Sequence, residues 1–294
     1  MQSWFKGVFT AIVTPFRDNE VDEKALCGLV ERQIEGKVSG LVPCGTTGEA
    51  ATMSDQERFQ VIRTVSKQSK GRVPVIAGAG SNSTAGTVEL TELARSAGAD
   101  GVLVVAPYYN KPTQQGLFLH YSEVCAKSDI PVMVYNVPGR TCCDILPGTM
   151  ARLSAIDRVE AIKEACGSVG QISDVIRLVG SRAAVMSGDD GITVPLMSVG
   201  ATGVVSVISN ILPDRVSEMV EASAGGDFKA ASKLHHELDP LVKAMFCQTN
   251  PIPAKTALSI MGLIAGEFRL PLCPMEDPMK ETVKEVLKKY GLVS

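Results

Sequence analysis

One lysine stands where the apolar pattern of a strand calls for another buried side chain. In the stretch RVEAIKEACG, residues 158–167, Val159, Ala161 and Ile162 read as a short buried strand, and Lys163 follows them. An ammonium group is costly to bury, and burial drives a lysine toward its neutral amine. A neutral amine can attack a ketone and become a protonated imine, an electron sink that lets the neighbouring carbon lose a proton and form an enamine. The plainer reading is a solvated lysine just past the end of a strand. The other chemistry-bearing residues decide between the two.

These residues fall on loops that follow apolar runs. CGTTGEA supplies Thr46 and Thr47 on a small-residue turn whose backbone N–H groups are approachable. Such a turn suits a carboxylate or phosphate, and it reads equally well as a plain helix entry. APYYNKP supplies Tyr108 and Tyr109, and YNVPGRT supplies Tyr135, so three of the five tyrosines share this setting. A phenol bonded to a hydroxyl or to another phenol can relay a proton. Arg140 follows Pro138-Gly139, a stiff mount for a guanidinium fork that grips a carboxylate. SGDD, residues 187–190, closes the set.

Some elements are needed to bring these loops together. Eight short runs read as strands: Val8–Val13, Gly40–Pro43, Pro74–Ala77, Gly101–Ala106, Pro131–Asn136, Val159–Ile162, Ala184–Ser187 and Gly203–Val207. Most are near-continuously apolar, as expected for parallel strands covered on both faces. Helical patterns separate them. SDQERFQVIRTV opens with the capping-box spacing Ser54 to Glu57, and Leu90, Leu93, Ala94 and Ala97 form one apolar stripe. The joints repeat: SAGADGVLVV and SVGATGVVSV both run from helix end through a glycine to a strand, and GKVSGLVP is a looser copy. About eight βα units without a linker point to an α/β fold, a (β/α)8 TIM barrel, with the reactive loops at the carboxyl ends of its strands. A doubly wound sheet is the alternative, and eight units exceed its usual need. From Pro213 onward the pattern is only helical. The barrel is therefore assigned to residues 1–225, and residues 226–294 to a C-terminal helical extension packed on it.

Bulk properties exclude several function classes. The 294 residues are 45% hydrophobic and 21% charged with a net charge of −3 and no basic block, which argues against disorder and against a nucleic-acid or polybasic membrane surface. The N-terminus has neither signal-peptide nor membrane-span character, because Pro15 and Arg17 interrupt its only hydrophobic run. A cytoplasmic chain is expected. Eight cysteines without CxxC spacing read as reduced, mostly buried thiols. Cys166 lacks a sequence-evident histidine partner. GAGSNS lacks the third glycine of a dinucleotide site, and LHHELD lacks metal-binding HExxH spacing. Asp189 and Asp190 are adjacent at a strand end, where both rarely face one ion. Neither a metal nor a bound cofactor is expected.

Taken together, GLVPCGTTGEAATMS, YNVPGRT, VEAIKEACG, GVFTAIVTPF and SGDD resemble the dihydrodipicolinate synthase family. That family belongs to the pyruvate-dependent class I aldolase superfamily that includes N-acetylneuraminate lyase. The resemblance runs from about residue 5 to the C-terminus. It implies a Schiff base between Lys163 and pyruvate, with Tyr135 as general acid/base and Thr46 linking it to Tyr109, a residue that crosses from a neighbouring subunit in the family. It further implies that Thr47 holds the pyruvate carboxylate, that Gly188 and the Val205 main chain border the substrate, and that Arg140 binds the carboxylate of L-aspartate 4-semialdehyde. The implied product feeds the diaminopimelate route to lysine, and the implied assembly is a homotetramer built as a dimer of dimers.

Asn82 and Tyr108 match residues of the family's lysine-effector cleft, but Gly86 stands where lysine-sensitive relatives carry a glutamate. Ala50, Asp55 and Arg58 replace other positions there, so feedback inhibition is expected to be weak or absent. The alternative within the superfamily is an aldolase for N-acetylneuraminate or 2-keto-3-deoxy sugar acids, against which Arg140 argues. A catalytically dead barrel acting as a binding protein is disfavoured by the complete Lys163–Tyr135–Thr46 set.

Overall fold

A computed structural model describes residues 4–294. Eight parallel strands make up the barrel: β1 (Gly7–Thr10), β2 (Gly40–Leu41), β3 (Ile76–Gly78), β4 (Gly101–Val105), β5 (Val132–Asn136), β6 (Val159–Glu164), β7 (Ala184–Ser187) and β8 (Gly203–Ser206). Their order is β2-β1-β8-β7-β6-β5-β4-β3, and a parallel bridge between Leu41 and Val75 closes β2 onto β3. All eight expected strands are present. The Val159–Ile162 expectation needs one correction: β6 continues through Lys163 to Glu164, so the lysine lies within the strand rather than beyond it.

Helices follow the strands as the joints required. They are α1 (Glu23–Glu35), α2 (Asp55–Ser69), α3 (Thr84–Ser96), α4 (Gln114–Lys127), the short α5 (Pro138–Thr141), α6 (Pro147–Leu153), α7 (Val169–Val179), α8 (Thr193–Ser198) and α9 (Pro213–Ala224). Three more complete the chain: α10 (Phe228–Met245), α11 (Ile252–Ile260) and α12 (Asp277–Lys289). Ser54 and Glu57 form the expected reciprocal capping box. Gly98 and Gly200 adopt φ of 96° and 110° at the two clear joints, while the looser copy places Lys37, not its glycine, at φ 60°. One element has no counterpart in the sequence pattern, an antiparallel hairpin pairing Phe16–Arg17 with Glu20–Val21. Its two-residue loop, Asp18-Asn19, has φ of 53° and 64°, the left-handed pair such tight hairpins use. Strands of two residues are too short to show an alternation.

Alternation along each strand divides the interior in two. Inward-facing Phe9, Met133, Tyr135, Ala161, Met186 and Val205 fill the barrel, with Phe5 and Trp4 stacked beneath them at its amino end. Outward-facing Val104, Val134 and Ile162 are sealed under the helices, each contributing about 1.5–3 kcal/mol by leaving water. All cysteines are free, but the expectation of mostly buried thiols is corrected. Cys44, Cys125 and Cys143 are buried, Cys27 and Cys166 half-buried, and Cys142, Cys247 and Cys273 exposed. Among the described residues no helix is long and apolar enough to cross a membrane.

At the top of β6 the outward position is Glu164, fully buried, with both carboxyl oxygens accepting from the Asn136 amide at 3.2 Å. The same amide donates to Asp144 at 2.8 Å. Burial pushes Glu164 up to about 8, against the opposing pull of Asn136. A carboxyl raised this far stays protonated in the folded state while the unfolded chain ionises above about 4.5. Its contribution is therefore complete below that pH, declines as pH rises toward 8 and then levels off. Glu164→Gln, compared with the unaltered protein by denaturant titration, should gain relative stability between pH 5 and 8, by at most about 1.4 kcal/mol per pH unit. A pH-independent difference between the two would contradict a protonated Glu164.

Candidate active site at the carboxyl ends of the strands

A cavity of about 790 Å³ opens at the carboxyl end of the barrel. Lys163, Tyr135, Thr46, Thr47, Arg140 and Gly188 all line it. Lys163 reaches it from β6 and Tyr135 from β5, and the two residues are register partners across these strands. Equal register and equal facing put both side chains in one layer of the barrel interior, with the Lys163 Nζ 4.2 Å from the centroid of the Tyr135 ring. Only 6% of each residue is exposed.

Burial governs their chemistry. It pulls the Lys163 amine down to about 8; Asp190 opposes this and Arg140 adds to it. It pushes the Tyr135 phenol up to about 12, against the Arg140 charge and the hydrogen-bonding Thr46 side chain. Near neutral pH the site thus holds an amine close to deprotonation beside a phenol that keeps its proton. Such a pair can add an amine to a carbonyl and deliver or remove protons at the oxygen on the carbon attacked.

Gly188 explains why the lysine fits. A Cβ there would lie 2.9 Å from the Lys163 Cε and 2.8 Å from the Ala165 Cβ, so a side chain would collide with the lysine stem. The Gly188 N–H also donates to the Glu164 carbonyl at 2.6 Å, tying β7 to the end of β6. On the opposite wall Thr47 is buried, and its Oγ1 accepts from the Asn250 amide at 3.0 Å. The Arg140 guanidinium donates to the Asn250 carbonyl at 3.2 Å from an exposed position at the mouth.

Several sequence candidates sit elsewhere. Val205 is buried in the barrel interior opposite Phe9 and does not line the cavity; Val207 does. Tyr109 is 88% exposed at φ 74° and lines neither this cavity nor a neighbouring one of about 390 Å³. Within one chain the Thr46–Tyr109 link is therefore open. Tyr108 lines the smaller cavity with Arg58 and Ala50, whereas Asn82, off that wall, accepts from the Asn110 amide through its carbonyl at 2.8 Å. Asp189 and Asp190 diverge: Asp189 accepts from the Gly191 N–H, and Asp190 accepts from the N–H groups of Val207 and Ile208. Among the described residues no three His, Cys, Asp or Glu side chains are grouped so as to hold a metal ion.

Sequence reasoning missed Asp190 as a buried charge acting on Lys163, and Asn250 as the joint between Thr47 and Arg140. The sequence shows two adjacent carboxylates at a strand end, Asp189 and Asp190, but not which of them acts on the lysine. Asn250 lies in a stretch that otherwise reads as a break between helices, so nothing local marks it.

Fold and site together define a class: (β/α)8 barrels that carry a desolvated amine at the carboxyl end of the sixth strand, beside a tyrosine of the fifth. The Dihydrodipicolinate synthetase family model matches residues 4–290, and the chain belongs to that family. It is 51% identical over 289 residues to the 4-hydroxy-tetrahydrodipicolinate synthase of Pelobacter propionicus, covering 98% of this chain and 100% of the relative. The dihydrodipicolinate synthase structure from Thermotoga maritima superposes with a TM-score of 0.97 at 43% identity, covering 99% of this chain and 100% of that one. A monomeric dihydrodipicolinate synthase variant also superposes with a TM-score of 0.97 at 43% identity, covering 99% and 98%.

The amine's pH dependence is open to measurement. Reductive methylation of Lys163 by formaldehyde and cyanoborohydride, followed by peptide mass, should rise with pH through a midpoint near 8. Asp190→Asn should move that midpoint down, because the Asp190 charge holds the ammonium form. An unmoved or raised midpoint in the variant would contradict the electrostatic role given to Asp190.

Proposed function

We propose that this chain is a 4-hydroxy-tetrahydrodipicolinate synthase that condenses pyruvate with L-aspartate 4-semialdehyde. The observation that carries the reading is the Lys163–Tyr135 pair, an amine whose proton burial loosens to about 8, against a protonated phenol inside the barrel. The names of the full-length relatives support it. The Lys163 Nζ adds to the pyruvate ketone, and loss of water leaves a protonated imine. Tyr135 gives its proton to the hydroxyl that leaves as water, and its hydrogen bond to Thr46 supports this role. The Tyr135 phenolate then takes a proton from the pyruvate methyl group, and the resulting enamine attacks the aldehyde, whose oxygen receives that proton back from Tyr135. The substrate's own amine displaces Lys163 and closes the ring.

The remaining roles follow from position. Thr47 and the backbone of its turn receive the pyruvate carboxylate, with Gly188 bordering the substrate. Arg140, exposed at the mouth and anchored on Asn250, receives the carboxylate of the second substrate. Val205, one layer down, supports the floor rather than touching pyruvate with its side chain. Tyr109 completes the relay from a second copy of the chain, because its own chain leaves it exposed and away from Thr46. The working assembly is a homotetramer of paired dimers. Residues 226–294 form an extension on the barrel, whose described part runs from residue 4 to residue 225. Arg140 argues against a sugar-acid aldolase.

A coupled assay with pyruvate and L-aspartate 4-semialdehyde, run beside cleavage assays with N-acetylneuraminate and 2-keto-3-deoxy sugar acids, tests the reading directly. Turnover is expected only in the first; turnover only in the others would overturn it. Tyr135→Phe and Thr46→Val should each lower kcat by ~10²-fold or more, the scale of general acid–base work. Arg140→Ala should raise KM for the semialdehyde far more than KM for pyruvate, and equal changes would move Arg140 out of its assigned role.

Of the residues at the positions of the family's effector cleft, Tyr108, Ala50 and Arg58 line the smaller cavity and Asn82 and Gly86 do not. Gly86, near the start of α3, brings no carboxylate to pair with an effector's ammonium, and Arg58 brings a like charge. Losing one partner of a buried charge pair costs about 2–5 kcal/mol. Titration with lysine at saturating substrates should therefore show weak or no inhibition. Half-inhibition below about 1 mM, an affinity near −4 kcal/mol, would contradict this reading of Gly86.

A further inference from the structure

The turn that carries Thr46 and Thr47 is fastened from behind by a completely buried ion pair. Glu49 follows Gly48 in a left-handed conformation, φ 54° and ψ 35°. Its N–H donates to the Thr46 carbonyl at 3.1 Å, and the Ala50 N–H to the Gly45 carbonyl at 3.3 Å. This closes the turn on itself and sends the Glu49 side chain away from the cavity. There its Oε1 receives the Nζ of Lys255 from α11. The side chains of both residues are 0% exposed. The ammonium also lies 4.4 Å from the Phe16 ring centroid and 5.1 Å from that of Phe268. The second Glu49 oxygen has no hydrogen-bond partner.

Two charges so thoroughly removed from water are poor sources of stability. Their desolvation rivals their attraction, and a well-packed apolar pair often does as well. What such a pair supplies is a fixed mutual position. That position matters here, because Asn250, two residues before α11, reaches the site at two further points. Asn250 donates to Thr47 and accepts from Arg140. The same short segment therefore holds the turn through Lys255, its hydroxyl through the Asn250 amide, and the mouth arginine through the Asn250 carbonyl.

We propose that Glu49 and Lys255 are positioning residues which, together with Asn250, set the Thr46–Thr47 turn at the correct distance from Lys163 to receive the substrate carboxylate. The proposal rests on the functional reading above and names what holds its anion-binding turn in place. Neither residue touches substrate. Glu49 lies on the wall of the smaller cavity and Lys255 behind it, so the pair acts only through the turn.

The test compares borohydride trapping of pyruvate on Lys163, as a function of pyruvate concentration, in the unaltered protein, in Lys255→Met and in Glu49→Gln/Lys255→Met. Thermal midpoints are measured alongside. Lys255→Met leaves a buried carboxylate unpaired and should lower the midpoint, whereas the double variant removes both charges and should recover most of it. In both variants half-saturating pyruvate should rise by about tenfold or more, because neither holds the turn. A double variant that recovers the midpoint and also traps pyruvate with near-unaltered half-saturation would overturn the proposal and leave the pair a packing feature.

If the variants do not fold, hydrogen exchange on the unaltered protein decides. Pyruvate should slow exchange both in residues 45–50 and in 252–258, and slowing of the turn alone would overturn the coupling. Failure of the unaltered protein to trap pyruvate would instead overturn the functional reading, and with it the ligand assigned to the turn.

Discussion

Keeping the Lys163 amine out of water is unfavourable for its charged form, and the neighbouring structure either enforces or limits that cost. A displacement from 10.5 to about 8 corresponds, at about 1.4 kcal/mol per pKa unit, to roughly 3 kcal/mol against the ammonium. Desolvation is the largest contributor, Arg140 adds to it, and Asp190 pulls the other way. Asp190 is the carboxylate at the strand ends that favours the ammonium form. Without the Tyr135 ring and the burial around it the amine would be hydrated and would hold its proton as tightly as a free lysine. Gly188 belongs to the same constraint, because any side chain there would occupy the path of the lysine stem.

The barrel meets this constraint by register rather than by loop design. Tyr135 and Lys163 are paired across β5 and β6, so a shift of one residue in either strand would turn one of the two out toward the helices. The outward position is already taken by Asn136 and Glu164, which are themselves register partners and share the Asn136 amide. One strand pair therefore has a reactive face turned inward and a hydrogen-bonded polar cluster turned outward. That cluster binds Asp144, in the segment that follows Arg140, so the mouth of the site is tied to the strands that build its floor.

Much of this was legible in the sequence, for identifiable reasons. The strands are nearly continuous apolar runs bounded by glycine joints, and parallel strands covered on both faces must look like that. Lys163 stood out because it breaks such a run, Tyr135 because it stands near the end of one, and Thr46, Thr47 and Arg140 because they follow one. What could not be read depends on contacts between distant segments. Glu49 and Lys255 are 206 positions apart, and neither has a local pattern that calls for the other. Asn250 lies between two helices and looks like any turn asparagine until Thr47 and Arg140 are set beside it. The hairpin of Phe16 and Val21 is too short to leave a periodic trace. Tyr109 is legible as a phenol near the site, yet its own chain holds it in the open.

The central claim is that the barrel desolvates this one lysine so that its amine forms an imine. Incubation with pyruvate, reduction with borohydride and peptide mapping measure this most directly. The account predicts a single reduced adduct, on Lys163, absent from Lys163→Ala and absent when pyruvate is omitted. An adduct on Lys255 or any other lysine, or no adduct at all, would contradict it.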